Sequence, residues 1–439
     1  MRREDSRSGS AIIRLAIPIV IAQLGTIVQS FADTMMVGQY GTAELSAAGF
    51  VNNVYNLILF FILGLSYSTT PVVGAYWGQG ERTKARRALK ESLVVSIVGC
   101  CAIMVLLGIL YFNLDLLHQP TELYPLIRPY YLTLLASLPF VGAFNSYKQY
   151  SDATGDTRTP MWVMIGGNLF NIGCNYLFIF TLDLGLFGAG IATLLSRMLM
   201  AACMAYMLRK EKTAEKVSKN GIWKLAKMGL PISIQLCLEA CSFNVCAVFM
   251  GWISAPSLAA HQVMCTVSQL CFMIHYGIGA AAAIRISHFC GQKNIEEVRK
   301  TAFTAYGMSI VVGLILTTLI ILLRKPATMA FTSDEEVFEI VMLLMVPFAV
   351  YQMGDCTQII FSNALRGIGK VRNMMIDAAF AYIVVSIPLS YVFGFVLDGG
   401  PQGVWWGTPF GLSTAGVIFL FRFMKYTKKQ GRLSHQIAK

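Results

Sequence analysis

The stretch "RLAIPIVIAQLGTIVQSFADTMMVG", residues 14–38, is the clearest indication of the fold of this 439-residue chain. The apolar run that begins at Ala11 is longer than the roughly 20 residues that cross a hydrocarbon layer. A cleaved leader has an apolar region of only about 7–15 residues. The stretch therefore predicts a membrane-spanning helix, and it places the acidic residue Asp33 inside that helix.

The whole chain has the composition of a polytopic membrane protein. Hydrophobic residues make up 56%, charged residues only 13%, and the mean hydropathy is +0.60, which is not typical of a soluble domain. The eleven cysteines include no CxxC motif, and because most lie inside apolar segments they are interpreted as small buried hydrophobes. Twelve apolar segments predict transmembrane helices at residues 11–37, 45–77, 91–112, 126–150, 161–181, 185–208, 228–250, 258–285, 302–323, 338–365, 375–397 and 402–422.

The sequence of the first helix recurs in the second half of the chain. "LAIPI" from Leu15 matches "MGLPI" from Met228. The difference between these two residue numbers is called the first shift. Near the ends of the halves the offset is slightly larger, as between Tyr176 and Tyr391, and is called the second shift. With six helices per half, the repeats are parallel. The internal copy also argues against the leader.

The repeat divides the chain into two halves. We therefore predict an all-α protein with an amino-terminal lobe at 1–208, a basic cytoplasmic linker at 209–227 and a carboxy-terminal lobe at 228–439.

The net charge of +12 fits membrane topology better than nucleic-acid binding. If the amino terminus is cytoplasmic, 31 of the 35 Lys and Arg residues fall in the cytoplasmic terminal regions, loops and helix ends. The amino-terminal group consists of Arg2, Arg3, Arg7 and Arg14. This distribution follows the positive-inside rule, so we expect both termini in the cytoplasm and no nucleic-acid partner.

Three acids lie where a charge is costly, at about 2.5–3.5 kcal/mol or more inside a membrane. They are Asp33 in the first helix, Glu239 in the seventh and Asp355 in the tenth. At the first shift Asp33 pairs with Cys246, and Glu239 with Thr26. Each half thus has its own acids. Their oxygens suit a hard cation or a proton.

Other polar residues share helix faces with these acids or stand apart. Asn171 and Asn175 are spaced i,i+4, as are Tyr351 and Asp355. The alternatives are interhelical packing for the two asparagines and a helix-end cap for Asp33. Arg197 in the sixth helix has no partner identifiable from sequence, Asp377 is expected at the interface, and the histidines lack a metal-ligand spacing.

Seven motifs, in this order and across nearly the whole chain, resemble the multidrug and toxic compound extrusion (MATE) family, closest to its bacterial NorM-like branch. They are "FADTMMVGQYGTAELSAAGF", "TPVVGAYWGQG", "GDTRTP", "NIGCNYLFIF", "LAAHQV", "IGAAAAIRISHFCGQ" and "YQMGDCTQIIFSNALRGIGK". The resemblance implies two six-helix lobes around a V-shaped central cavity and cation-coupled export by alternating access.

The resemblance also implies two coupling sites. In the amino-terminal lobe the family's positions correspond to Asp33, Asn171, Asn175 and Thr193. Some members have aspartate where this chain has Asn175, so a sodium site here would have one negative charge fewer among its ligands. In the carboxy-terminal lobe the family's positions correspond to Glu239, Tyr351 and Asp355.

We therefore expect an antiporter that exports drugs, dyes and other organic cations in exchange for Na+ or H+. It would be a monomer in a bacterial inner membrane, with no catalytic residues and no cofactor. A lipid-linked oligosaccharide flippase is the first alternative, but it calls for a cationic cavity, and the membrane charges here are mainly acidic. A membrane-embedded transferase is the second, and the chain has neither DDxxD nor HExxH.

Overall fold

The computed structural model describes residues 8–113, 121–211, 215–331 and 334–437, so Arg2, Arg3 and Arg7 lie outside the described residues. These ranges contain no strand and twelve helices long enough to span a membrane. The helices are α1 (Gly9–Tyr40), α2 (Thr42–Gly78), α3 (Arg82–Phe112), α4 (Tyr124–Ala153), α5 (Arg158–Thr181), α6 (Gly185–Met207), α7 (Lys219–Ile253), α8 (Ala255–Gly291), α9 (Ile295–Leu322), α10 (Glu335–Gly367), α11 (Arg372–Val396) and α12 (Gly400–Gln430). The prediction of an all-α protein with twelve spanning helices is confirmed.

The helices form because each has an apolar window with a mean hydropathy between 1.2 and 2.9. In hydrocarbon a helix satisfies its own backbone hydrogen bonds, which a single extended segment cannot do. Many apolar side chains point outward, as Leu106 and Phe421 do. The observed helices extend past the predicted apolar segments into polar sequence, and α7 begins at Lys219.

Unusual backbone conformations repeat along the chain at the predicted shifts. Left-handed φ angles occur at Gly80 (79°) and again at Lys293 (59°), its counterpart at the first shift. They recur at Asp183 (53°) and Asp398 (52°), which the second shift relates. A π-helical turn at Leu177–Thr181 likewise has a counterpart at Val392–Val396. The two halves therefore share local structure as well as sequence.

The chain forms two compact units. One, here the amino-terminal unit, is Ile21–Ser233, and the other, the carboxy-terminal unit, is Met1–Val20 with Ile234–Lys439. The unit boundaries fall inside α1 and α7, so each of these two helices contributes its first part to one unit and the rest to the other. The lobe bounds predicted from sequence stay a prediction.

Close helix contacts inside the units are related by the first shift. In the amino-terminal unit, a Cβ on Gly64 of α2 would lie 2.3 Å from the Cα of Ser233 of α7. In the carboxy-terminal unit, a Cβ on Gly277 of α8 would lie 2.3 Å from Val20 Cγ2 of α1. Glycine at both positions therefore allows the second helix of one half to approach the first helix of the other half.

Within the amino-terminal unit α4 packs against α3 and α6, and within the carboxy-terminal unit α10 packs against α8 and α12. The core around α4 contains the fully buried side chains of Leu138 and Ile127. The polar residues discussed next lie on the helices of each unit.

Candidate functional site

Asp33 of α1 is held by two side-chain amides in the amino-terminal unit. Gln29, one helical turn earlier, donates from Nε2 to Asp33 Oδ2 at 3.0 Å. Asn175 of α5 donates from Nδ2 to Asp33 Oδ1 at 2.5 Å. Each carboxylate oxygen therefore accepts an N–H bond, which stabilises the ionised form of the acid. Asp33 is bonded to side chains of two helices, and its role is not that of a simple helix-end cap.

Asn171 joins this cluster from α5. Its Oδ1 accepts from Gln29 Nε2 at 2.9 Å and from Asn175 Nδ2 at 3.2 Å. Both asparagines are fully buried, and Asn171 Nδ2 and Asn175 Oδ1 have no hydrogen-bond partner within the described residues. Because buried polar atoms are usually paired, these two atoms mark a site that can take a further ligand or proton.

The geometry allows two kinds of cation chemistry. Rotation of the Asn175 amide replaces a donor by an acceptor, which is what a protonated Asp33 would need for its own O–H. The same rotation directs an amide oxygen toward the carboxylate, as a hard cation such as Na+ requires. Thr193 of α6 forms no hydrogen bond to this cluster within the described residues, and its hydroxyl donates to the Ala189 carbonyl at 3.0 Å.

Arg197 of α6 lies close enough to Asp33 for an electrostatic interaction, and the two side chains form no ion pair in the described structure. Its Nη1 donates to the hydroxyls of Tyr55 and Ser137, the latter at 2.6 Å. The guanidinium carbon lies 5.0 Å from the centre of the Tyr55 ring. Both hydrogen-bond acceptors of this membrane arginine are therefore neutral.

Glu239 of α7 occupies a similar cluster in the carboxy-terminal unit. Its Oε2 accepts from Gln235 Nε2 and from Gln358 Nε2 of α10, both at 2.9 Å. The Gln358 amide also lies 3.2 Å from the hydroxyl of Tyr382 in α11. As at Asp33, a carboxylate in a spanning helix is solvated by two amide groups.

Gln235 links Glu239 to a buried cation. Its Oε1 accepts from Arg366 Nη2 at 2.6 Å, while its Nε2 donates to Glu239. The amide thus stands between the two charged groups, donating to the carboxylate and accepting from the guanidinium. This arrangement keeps a positive charge near Glu239 without a direct ion pair.

Asp355 and Tyr351 lie on the same face of α10, as their spacing predicts, and both are buried. Asp355 Oδ2 has no hydrogen-bond partner within the described residues, although the acid lies near enough to Glu239 to interact electrostatically. Tyr351 packs against the rings of Phe348, Phe243 and Trp405. The structure therefore brings the three predicted residues into one region without joining them by hydrogen bonds.

Comparison with known proteins places this geometry in context. The MatE family model matches the chain twice, at residues 18–177 and 231–392. The first shift relates the starts of the two matches, Pro18 and Pro231, and the second shift relates their ends, Leu177 and Val392. The chain belongs to the MatE family.

Relatives of this MatE protein match along nearly their whole length. "Probable multidrug resistance protein NorM" of Bradyrhizobium diazoefficiens is 29% identical, over 95% of this chain and 93% of the relative. "Multidrug resistance protein MdtK" of Photorhabdus laumondii is 24% identical, over 97% and 96%. The sequence-based assignment to this family is confirmed.

Solved MatE structures have the same fold. A MATE transporter in a bent conformation gives a TM-score of 0.89 at 22% identity, covering 98% of this chain and 97% of that one. The eukaryotic MATE transporter AtDTX14 gives 0.89 at 19% identity, covering 99% of both. These likenesses concern the fold alone.

Several polar residues of this MatE chain were missed by sequence reasoning. Gln29 and Gln235 precede their acids by four residues, a spacing that was visible in the sequence. Gln358, Tyr382 and Arg366 come from other helices, and nothing near either acid in the sequence indicates them. Thr193 was expected in the cluster through the family resemblance, yet its hydroxyl bonds within its own helix.

Residues outside the two clusters have structural partners. Asp377 of α11 forms a two-pronged ion pair with Arg422 of α12, with Oδ1 2.6 Å from Nη2. His261 accepts from Trp405 Nε1 at 3.2 Å, and His275 bonds the Ser309 hydroxyl at 2.8 Å. The described residues contain no group of three or more His, Cys, Asp or Glu able to hold a metal ion.

Proposed function

We propose that this protein exports apolar, often cationic small molecules across a bacterial inner membrane, in exchange for Na+ or H+, by alternating access. The observation that supports this most is that each unit holds an acid in a spanning helix, solvated by two side-chain amides: Asp33 by Gln29 and Asn175, and Glu239 by Gln235 and Gln358. An ionised acid inside a membrane costs free energy unless it binds a cation or another polar partner.

The cluster in each unit has the properties that cation exchange requires. A carboxylate held by neutral amides can exchange their hydrogen bonds for a proton, a metal cation or an ammonium group. Binding of any of these neutralises the negative charge of the acid. A coupling cation shifts a two-state equilibrium only by its differential affinity for the two states. Amide groups present either a donor or an acceptor, so they can bind both the ionised and the protonated form of the acid.

The names of the relatives support the substrate class. The NorM and MdtK proteins are described as multidrug resistance proteins, which fits export of drugs, dyes and other organic cations here. We further propose a monomer with cytoplasmic termini and lobes at 1–208 and 228–439 joined by the linker at 209–227, acting without a cofactor or a catalytic group.

Ethidium efflux from proteoliposomes tests the proposal. The wild-type protein is compared with Asp33→Asn, Glu239→Gln and Asp355→Asn, under a sodium gradient at fixed pH and then under a pH gradient without sodium. We expect wild-type efflux under one gradient at least and a loss of about tenfold or more in each variant, because a neutral amide carries no charge for a cation. Asp156→Asn, on an exposed loop, is the control. Wild-type efflux in all three variants would show the proposal to be wrong.

A further inference from the structure

Arg197 is the basic residue of the amino-terminal unit that lies beside the Asp33 cluster. It stands in the interior of α6, half-buried, in a helix that spans the membrane. A charged side chain at such a position is expensive and usually pairs with an opposite charge or serves function. Its electrostatic neighbour Asp33 is already hydrogen-bonded to two amides instead.

The guanidinium group is only partly satisfied. Nη1 donates to Tyr55 and Ser137, and these two hydroxyls lie 3.2 Å from each other. A guanidinium has five N–H groups. Those on Nε and Nη2 have no hydrogen-bond partner in the described part of the chain, and neither nitrogen is a buried atom. One edge of the group is therefore available to a ligand.

The contacts of Nη1 also fix the orientation of the side chain. Two hydrogen bonds and the Tyr55 ring, 5.0 Å from the guanidinium carbon, hold it from one side. Nearby, Tyr130 is buried and donates its hydroxyl to Asn52 Oδ1 at 3.1 Å, so it offers Arg197 no anion. A fixed planar donor group with a free edge suits a carboxylate, which accepts two parallel N–H bonds from arginine.

We propose that Arg197 is an anion-recognition residue of the amino-terminal unit, which binds the carboxylate of zwitterionic substrates while Asp33 attracts their cationic group. This rests on the proposed export function and narrows its substrate class. The two opposite charges are neighbours in one unit, so one molecule with separated charges can meet both. A purely cationic substrate would use Asp33 alone and gain nothing from Arg197.

A pair of rhodamine dyes that share one fluorophore tests this in proteoliposomes. One dye has a free carboxylate and is zwitterionic; the other is its methyl ester and is cationic. We expect the wild-type protein to export both. Arg197→Gln should lower export of the free acid about tenfold to a hundredfold, the effect of losing charge-assisted hydrogen bonds, and change export of the ester less than about twofold. Arg197→Lys should give an intermediate rate for the acid, since lysine keeps the charge without the planar pair of donors.

Arg128→Gln, which removes an exposed positive charge of the same unit, is the matched control and should leave the ratio of the two rates unchanged. Equal loss of both dyes in Arg197→Gln would overturn the proposal, because it would show a purely structural or coupling role. Export of the ester alone by the wild-type protein would overturn it too, while leaving the export function intact. Export of neither dye would contradict the proposed function itself.

A measurement on the wild-type protein keeps the test decisive if Arg197→Gln does not fold. Benzoate has a carboxylate and no cationic group, so it should compete for Arg197. We expect benzoate to inhibit export of the free acid and not of the ester. Inhibition of both dyes to the same extent, or of neither, would overturn the proposal.

Discussion

Gln29 donates its side-chain amide to the Asp33 carboxylate across one helical turn, at 3.0 Å. Gln235 does the same for Glu239 at 2.9 Å. The two pairs are not related by the internal repeat, since Gln29 aligns with Ser242 and Gln235 with Ala22 at the first shift. Each unit therefore has the same local arrangement at a different position along its helix: a glutamine four residues before an acid, with its side-chain amide bonded to the carboxylate.

The Gln29–Asp33 contact leads to a first prediction. Gln29→Leu removes the N–H bond to Asp33 and the bond to Asn171, so export should fall about tenfold, the effect of a lost hydrogen bond to a charged group. Gln23→Leu, in the same helix and outside the cluster, should stay within about twofold. Ethidium efflux from proteoliposomes measures both.

A double-mutant cycle shows whether Gln29 acts through the acid. In the Asp33→Asn background, Gln29→Leu should cause little further loss, because the bond it removes no longer involves a carboxylate. Additive losses would show instead that Gln29 acts independently of Asp33.

Asp355 is buried with one carboxylate oxygen unpaired in the described structure, which predicts opposite effects on stability and transport. Asp355→Asn removes a buried acid near Glu239, so the free energy of unfolding in detergent should rise by about 1 kcal/mol or more. Export should fall because the charge is lost. Thermal melting of the purified protein, followed by efflux assays, measures the two quantities.

Asp334→Ala, at the start of the same helix, is a control whose expected effect on stability has the opposite sign. Asp334 caps α10 by accepting from the backbone N–H groups of Glu336 and Val337. Its loss should lower stability by about 1 kcal/mol and leave export unchanged. If Asp355→Asn also destabilised the protein, the acid would be a structural residue.

The close approach of α2 to α7 predicts that replacing Gly64 by a larger residue lowers the stability of the protein. Gly64→Ala would place a methyl group 2.3 Å from the Cα of Ser233, a backbone atom that cannot simply rotate away. The expected cost is about 1–3 kcal/mol of stability. Gly49→Ala, in the same helix with open space around it, should be neutral or stabilising by up to about 1 kcal/mol. Melting temperatures that do not separate the two variants would contradict the packing described here.

The ion pair between Asp377 and Arg422 is expected to stabilise the carboxy-terminal unit rather than take part in transport. Asp377→Asn should lower stability by about 1–2 kcal/mol, a modest value because the Arg422 side chain is 39% exposed. Export per folded molecule should be retained. Lys84→Gln, which breaks the exposed pair with Glu81, should change stability by less than about 0.5 kcal/mol. A large loss of export in Asp377→Asn at normal protein levels would contradict this assignment.

Much of the fold follows from local sequence. Helix number and type depend on the length of each apolar run, which is why each predicted segment lies within an observed helix or ends one residue beyond it. The repeat was predicted from residue matches, and backbone conformations such as those of Asp183 and Asp398 recur at the same shift. The i,i+4 spacings of Asn171 with Asn175 and of Tyr351 with Asp355 were also predictable, because helix geometry sets which residues share a face.

The partners of the acids depend on which helices pack together. Gln29 meets Asn171, and Arg197 meets Tyr55, across 142 residues of sequence, and Arg366 meets Gln235 across 131. Hydropathy identifies each helix without saying which faces meet, since lipid and a neighbouring helix are similar surroundings for an apolar side chain. Apolar runs and residue matches were therefore enough to predict twelve helices, their repeat and the acids within them. The second amide at each acid, Asn175 at Asp33 and Gln358 at Glu239, was not predictable, and neither was the free edge of Arg197, because these features depend on contacts between helices far apart in the chain.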